Sequence, residues 1–203
     1  MKFTTNLAAL ALAGLASAQY DQASKPFQLV LQSKDKTVNG QKLAACHVGA
    51  AIESLCLTET ASPSKPDPIK PVAFRFNTSS NAGGEPPAWG ILTYDLPAQP
   101  VIPSSVEFWI DPIANFALPL LYPGSGSGSQ SLVFDEKDLL AVQGYVDYSV
   151  NPPKAGNTTE FYRWYACPTY YAGYQYPALT WALGEGKPET PGCAKVDVKR
   201  VFV

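Results

Sequence analysis

Hydrophobic positions in this chain recur mostly at every second residue, in short runs. In Phe27-Gln28-Leu29-Val30-Leu31-Gln32, the side chains of Phe27, Leu29 and Leu31 fall on one side, the period-two signature of a half-buried strand. The run 195–203 alternates in the same way. Further strands are expected at 72–76, 89–94, 106–110, 118–122, 132–134, 139–145, 161–167 and 178–183. Asn39-Gly40 predicts a two-residue hairpin, because a type I′ turn needs positive φ twice. Residues 44–57 carry alanines that suit a helix, but Gly49 interrupts them and a cysteine stands near each end. We read that segment as two short strands around a turn. Pro63, Pro66, Pro68 and Pro71 make 58–71 a stiff connector within one domain, and the alternating Gly and Ser of 123–129 predict a flexible loop. Many short strands at regular spacing indicate an all-β, single-domain antiparallel β-sandwich, with a trefoil-like or other closed β-barrel as the alternative.

The N-terminus breaks this pattern. Lys2 precedes an Ala/Leu-rich run from Leu7 to Leu15, and Ala16-Ser17-Ala18 puts small residues where a signal peptidase reads. The expected leader is 1–18, cut before Gln19, leaving one domain over 19–203. The run is shorter than the ~20 apolar residues of a membrane span. The strand-like C-terminus lacks the polar spacer and apolar tail of a lipid-anchor signal. The expected location is therefore extracellular or in a cell wall, without a membrane anchor.

Composition sharpens this picture. Nineteen prolines in 203 residues are nearly twice the usual share of about 5%, which favours short strands and rigid loops over long helices. The formal net charge is −2, and no basic run interleaves with aromatics, so no nucleic-acid partner is expected. Four cysteines, Cys46, Cys56, Cys167 and Cys193, read as disulfides in an exported chain. Three pairings are possible, and proximity favours Cys46–Cys56 with Cys167–Cys193. Asn77-Thr78-Ser79 and Asn157-Thr158-Thr159 are acceptor sequons in segments that read as loops.

Several segments resemble a family of small secreted proteins of filamentous fungi without an assigned function. They are Phe27–Leu31, Asn39-Gly40, Ala45–Ala51, Arg163–Cys167, Tyr170–Tyr174 and the ending from Cys193 to Val203. The resemblance covers most of the chain beyond the leader and implies no catalytic residues. In layout rather than motif, the chain is also similar to phialide-type fungal cell-wall proteins, which are small, secreted and disulfide-bonded.

Several chemistries are excluded at this level. With His47 the one histidine, a zinc site of two or three histidines cannot form within one chain, and no metal or cofactor is expected. A serine triad would have only His47 as base, and no Gly-x-Ser-x-Gly elbow exists. No catalytic residue is assigned. A carboxylate pair stays open as the rival hydrolase reading, with Glu53, Glu107, Asp111, Asp135, Asp138, Asp147 and Glu160 available. Asp135, Glu136 and Asp138 read as a solvated turn rather than a calcium loop. Nine aromatics lie between Phe161 and Trp181. Period-two alternation assigns part of them to a core. Tyr170, Tyr171, Tyr174 and Tyr176 are expected in a loop, either packed over the Cys167–Cys193 bridge or free to stack on sugar rings. The resulting expectation is a non-enzymatic protein of the wall or cell surface with cell-wall carbohydrate as its partner. The rivals are a polysaccharide hydrolase and a secreted effector or inhibitor that binds a protein.

Overall fold

The computed structural model describes residues 19–60, 62–64, 67–80, 88–124 and 128–203. The expected leader over 1–18 lies outside the described residues, as do 125–127 of the glycine-serine loop and Pro66 of the connector. In chain order the strands are β1 (Gln22–Ala23), β2 (Phe27–Gln32), β3 (Leu43–Gly49), β4 (Ile52–Leu57), β5 (Arg75–Thr78), β6 (Gly90–Leu96), β7 (Ile102–Asp111) and β8 (Phe116–Pro123). They continue with β9 (Val133–Phe134), β10 (Leu140–Asp147), β11 (Lys154–Phe161), β12 (Trp164–Tyr171), β13 (Tyr174–Ala182), β14 (Ala194–Lys195) and β15 (Asp197–Phe202). There is no helix among the described residues.

The main sheet follows the order β1-β5-β6-β7-β8-β4-β13-β12-β14, with β3 paired to β4. A three-stranded sheet, β11-β10-β9, and a two-stranded one, β15-β2, complete the fold. The pairings are antiparallel and, among the described residues, the main sheet ends on open edges, so the chain is an all-β sandwich and not a closed barrel or trefoil.

Alternation explains the layers. Phe27, Leu29 and Leu31 of β2 are fully buried, as is Val198 of its partner β15. Together with Phe134 and Leu140 they cover one face of the main sheet, meeting Leu43, Leu55, Leu57, Val106, Leu121, Trp164 and Leu179. Trp164 fastens the layers. Its indole N–H donates to the carbonyl of Leu140 at 2.7 Å, and its ring meets Trp181 edge-on at 4.7 Å.

The opposite face of the main sheet carries a second core of Ala44, Cys46, Val48, Cys56, Phe116, Leu118, Leu120, Tyr176 and Ala178. No second sheet is needed to close it. Cys46 and Cys56 are bridged across the β3–β4 hairpin, diagonally in register, since Cys46 faces Ser54 and Cys56 faces Ala44. Ile69, from the proline-rich connector, packs alongside. The second bridge joins Cys167 of β12 to Cys193, just before β14. Both pairings are those that proximity favours.

Three local expectations need correction. Asn39-Gly40 does not form a two-residue hairpin. Only Gly40 has positive φ, the Asn39 side chain accepts a hydrogen bond from the Ser33 N–H, and the chain returns to β2 through a wider loop, in which Leu31 bonds Gly40 and Gln41 and Val30 bridges Lys42. Among the described residues, the two-residue turn with consecutive positive φ is Ala172-Gly173, at 48° and 91°. It converts the expected tyrosine loop into the β12–β13 hairpin. The sequons lie in strands, Asn77 in β5 and Asn157 in β11. β11 has no sequence signature because Lys154–Thr159 is exposed on both sides, so nothing selects alternation there.

Two variants test this account through the melting temperature. Cys193→Ser should cost about 2–5 kcal/mol, and an unchanged melting temperature would remove that bridge from the account of stability. Trp164→Phe, which deletes the bond to Leu140, should cost about 1–3 kcal/mol.

Candidate functional site

Strands β7 and β8 supply the base of the site. Ser105 pairs with Tyr122, Glu107 with Leu120 and Trp109 with Leu118. These six side chains share the face of the second core, while Val106 and Leu121 point into the first. The β12–β13 hairpin adds its own rings to this face. Tyr171 and Tyr174 are direct cross-strand partners, as are Thr169 and Tyr176.

A continuous aromatic band results. Trp109 and Tyr171 meet edge-on at 5.0 Å. Tyr174 lies parallel to Tyr176 at 6.5 Å and edge-on to the His47 ring at 5.3 Å. Tyr176 is buried and forms the floor, with its hydroxyl donating to the His47 carbonyl at 3.2 Å. Trp109 is 38% exposed, and Tyr171 and Tyr174 are half-buried, so the band offers ring surface to solvent.

Polar groups flank the rings. The Tyr122 and Tyr171 hydroxyls are 3.2 Å apart. Burial pushes the Tyr122 phenol well above its ordinary value, and the bond to Tyr171 and the nearby Glu107 charge add to the shift. Tyr122 therefore stays protonated at any physiological pH. The Glu107 carboxylate lies over Gly128, where a Cβ would stand 2.7 Å from it. Ser105 donates to the Gly124 carbonyl at 2.8 Å or to the Ser129 hydroxyl at 2.7 Å.

Beside the band, His47 faces Glu53 across the β3–β4 hairpin, with Nδ1 and Oε1 3.8 Å apart. The Glu53 carboxyl is buried and the imidazole is largely exposed. Desolvation raises the Glu53 pKa above 4.5, and the attraction of His47 offsets part of that shift.

The structure brings together Tyr171, Tyr174 and Tyr176 and separates Tyr170 from them. Tyr170 pairs with Gln175 on the reverse face of the hairpin and is 66% exposed. None of the four lies in a loop, because the Ala172-Gly173 turn is so tight that both flanks are already in the ladder. Trp109 and Tyr122 belong to the site but were not singled out from the sequence, and Glu107 was named there only as one of seven available carboxylates. Their signal was the alternation in Val106-Glu107-Phe108-Trp109-Ile110, which puts Glu107 and Trp109 on one side.

Four of the other candidate carboxylates hold turns or an ion pair, and Glu160 stands in β11 opposite Gln143. Asp135 accepts the N–H groups of Lys137 and Leu139, each at 2.8 Å, and the Tyr162 hydroxyl at 2.9 Å. Burial and this bond push the Tyr162 phenol up to about 12. Asp138 pairs with Arg200 at 2.7 Å. Asp111 accepts from Ile113 and Ala114, and Asp147 from Ser149. Among the described residues, no group of three or more His, Cys, Asp or Glu is placed to hold a metal ion.

An antiparallel sandwich with two disulfides and an aromatic band on its outer face is the class of protein defined here. A family model described as Domain of unknown function (DUF7907) matches residues 24–202, and the chain belongs to that family. No curated protein and no solved structure matches it. The match agrees with the resemblance read from the sequence in its coarser part, a family without an assigned function that covers most of the chain.

Glu53 gives this region a pH dependence of known sign. A carboxyl held above 4.5 in the fold keeps a proton that the unfolded chain releases. The resulting stabilisation is complete below about pH 4.5 and is lost as pH rises through the folded value. Relative to Glu53→Gln, the wild type should lose melting temperature as pH rises above 4.5. Parallel profiles from pH 4 to 7 would show that Glu53 is not the group responsible.

Proposed function

We propose that this chain is an exported, non-enzymatic protein of the wall or cell surface that binds carbohydrate on the band formed by Trp109, Tyr171 and Tyr174. The observation that carries this reading is the band itself. Three rings from three strands meet on one face, with the Tyr122 hydroxyl and the Glu107 carboxylate beside them. Sugar rings present apolar C–H faces bordered by hydroxyls, and aromatic rings with adjacent polar groups suit both features. The two disulfides are compatible with an extracellular protein, and the leader expected from the sequence provides the route.

Binding is favoured over hydrolysis by the placement of the acids. Glycoside hydrolysis needs two carboxyl groups flanking one bond, roughly 5–10 Å apart. Glu53 is paired with Leu121 and Glu107 with Leu120. Consecutive residues of a strand point to opposite faces, so these two acids face opposite sides of the sheet. Glu107 is left as an acceptor for sugar hydroxyls.

The test is retention of the folded protein on insoluble chitin, β-glucan, mannan and cellulose. Loss of one stacked ring is worth ~0.5–1.5 kcal/mol, so Trp109→Ala or Tyr174→Ala should weaken retention about two- to tenfold. Tyr170→Ala, on the reverse face, should leave it unchanged. No retention on any polymer, or equal loss with Tyr170→Ala, would sink the reading and favour a protein partner.

A further inference from the structure

The two sequons have different surroundings. Asn77 is held in the main sheet, paired with Ala23 of β1 on one side and Ile91 of β6 on the other. It is half-buried, and its Oδ1 accepts from the Thr93 hydroxyl at 3.3 Å. Asn157 stands in β11, the outer strand of its sheet, where 154–159 are exposed. The ladder to β10 breaks at the sequon. Gly144 pairs with Thr159 and Val146 with Ala155, so Gly156, Asn157 and Thr158 bulge out opposite Tyr145 alone.

The surface around Asn157 is one that a soluble protein has reason to cover. β11 pairs only with β10, which leaves its other edge open among the described residues. An open edge is a template for pairing with another chain. Exposed apolar side chains lie next to it, with Tyr145 63% exposed and Tyr148 78% exposed. Asn157 lines a groove of about 430 Å³ together with Tyr148, Phe161 and Arg163, while its neighbour Thr158 lines another of about 410 Å³ with Tyr145 and Trp89.

We propose that Asn157 carries an N-linked glycan, that Asn77 does not, and that the glycan seals the open edge of β11 against a second copy of this chain. The donor class is a lipid diphosphate-linked oligosaccharide in the secretory lumen. The Asn157 Nδ2 forms a bond to the anomeric carbon, whose bond to the diphosphate oxygen breaks. The lipid diphosphate departs, one amide proton goes to solvent, and no group changes oxidation state. The acceptor is exposed within the bulge, and Thr159 supplies the hydroxyl of the sequon. This inference rests on the exported reading above but not on carbohydrate binding.

The experiment expresses the full chain in eukaryotic cells and recovers it from the medium. An amidase that releases N-glycans in heavy-oxygen water then marks every formerly occupied asparagine, and peptide mass spectrometry reads the marks. Asn157 should be marked and Asn77 unmarked. Asn157→Gln and Thr159→Ala should both lose the mark, and both should shift from monomer toward dimer with concentration in sedimentation equilibrium. The second variant keeps Asn157, which guards against a folding defect of the first. Exported protein unmarked at Asn157, a mark at Asn77, or monomeric variants at every concentration would overturn the proposal alone. A chain that never reaches the medium would overturn the exported reading and this proposal with it.

Discussion

The rest of the molecule depends on the junction of β4, β8 and β13. β13 runs antiparallel to β4 at Ala178 and Cys56 and antiparallel to β8 at Trp181 and Ala117. β4 is itself antiparallel to β8 at Ser54 and Leu120. Three straight strands cannot all be mutually antiparallel, so the sheet must bend where they meet. Pro119 and Pro177 sit in β8 and β13. Proline removes a ladder donor, and strands tolerate it where regular pairing gives way. The bent sheet carries a core on each face. Trp164, Trp181 and Phe108 fill one side, and Phe116, Leu118, Leu120 and Tyr176 fill the other.

That constraint also explains the position of the tyrosine hairpin. β13 leaves the junction toward β3, which takes Tyr176 to the His47 carbonyl and Tyr174 to the His47 ring. β12 follows as its partner and carries Tyr171 to Trp109 and Tyr122. The aromatic band is thus a consequence of topology. Its members come from β7, β8, β12 and β13, and only the bend brings them onto one surface.

Legibility in the sequence follows the same division. Elements with one buried face were readable, because burial imposes alternation. Phe27–Gln32 is found at the expected bounds, and the β3–β4 hairpin with its bridge falls where the cysteines and Gly49 placed it. β11 was missed because water on both sides leaves its composition unconstrained. Asn39-Gly40 misled because the reversal is a wider loop held by Asp35 and Asn39, and it returns the chain to Leu31 rather than to Thr37 and Val38. In the site, the richness in tyrosine was visible, but the separation of Tyr170 from Tyr171 was not. That separation requires knowing that the chain stays in strand up to Ala172. Trp109 and Glu107 could be placed on one side of a strand, yet nothing local shows that Tyr171, more than sixty residues away in sequence, lies against that side.

The physical character of the band follows from what it must do in the fold. A sheet face without a covering sheet would expose the second core, and large rings are an economical way to close it, since each covers much apolar surface with few rotatable bonds. The same rings are then already immobilised. Tyr171 is held by Trp109 and by the Tyr122 hydroxyl, and Tyr174 by Tyr176 and His47. A surface ordered by its own packing loses little conformational entropy when a ligand lands on it. Sealing the second core and fixing the rings in place are therefore one arrangement. Trp109 ends this arrangement half-covered, its ring held edge-on by Tyr171 and 38% exposed.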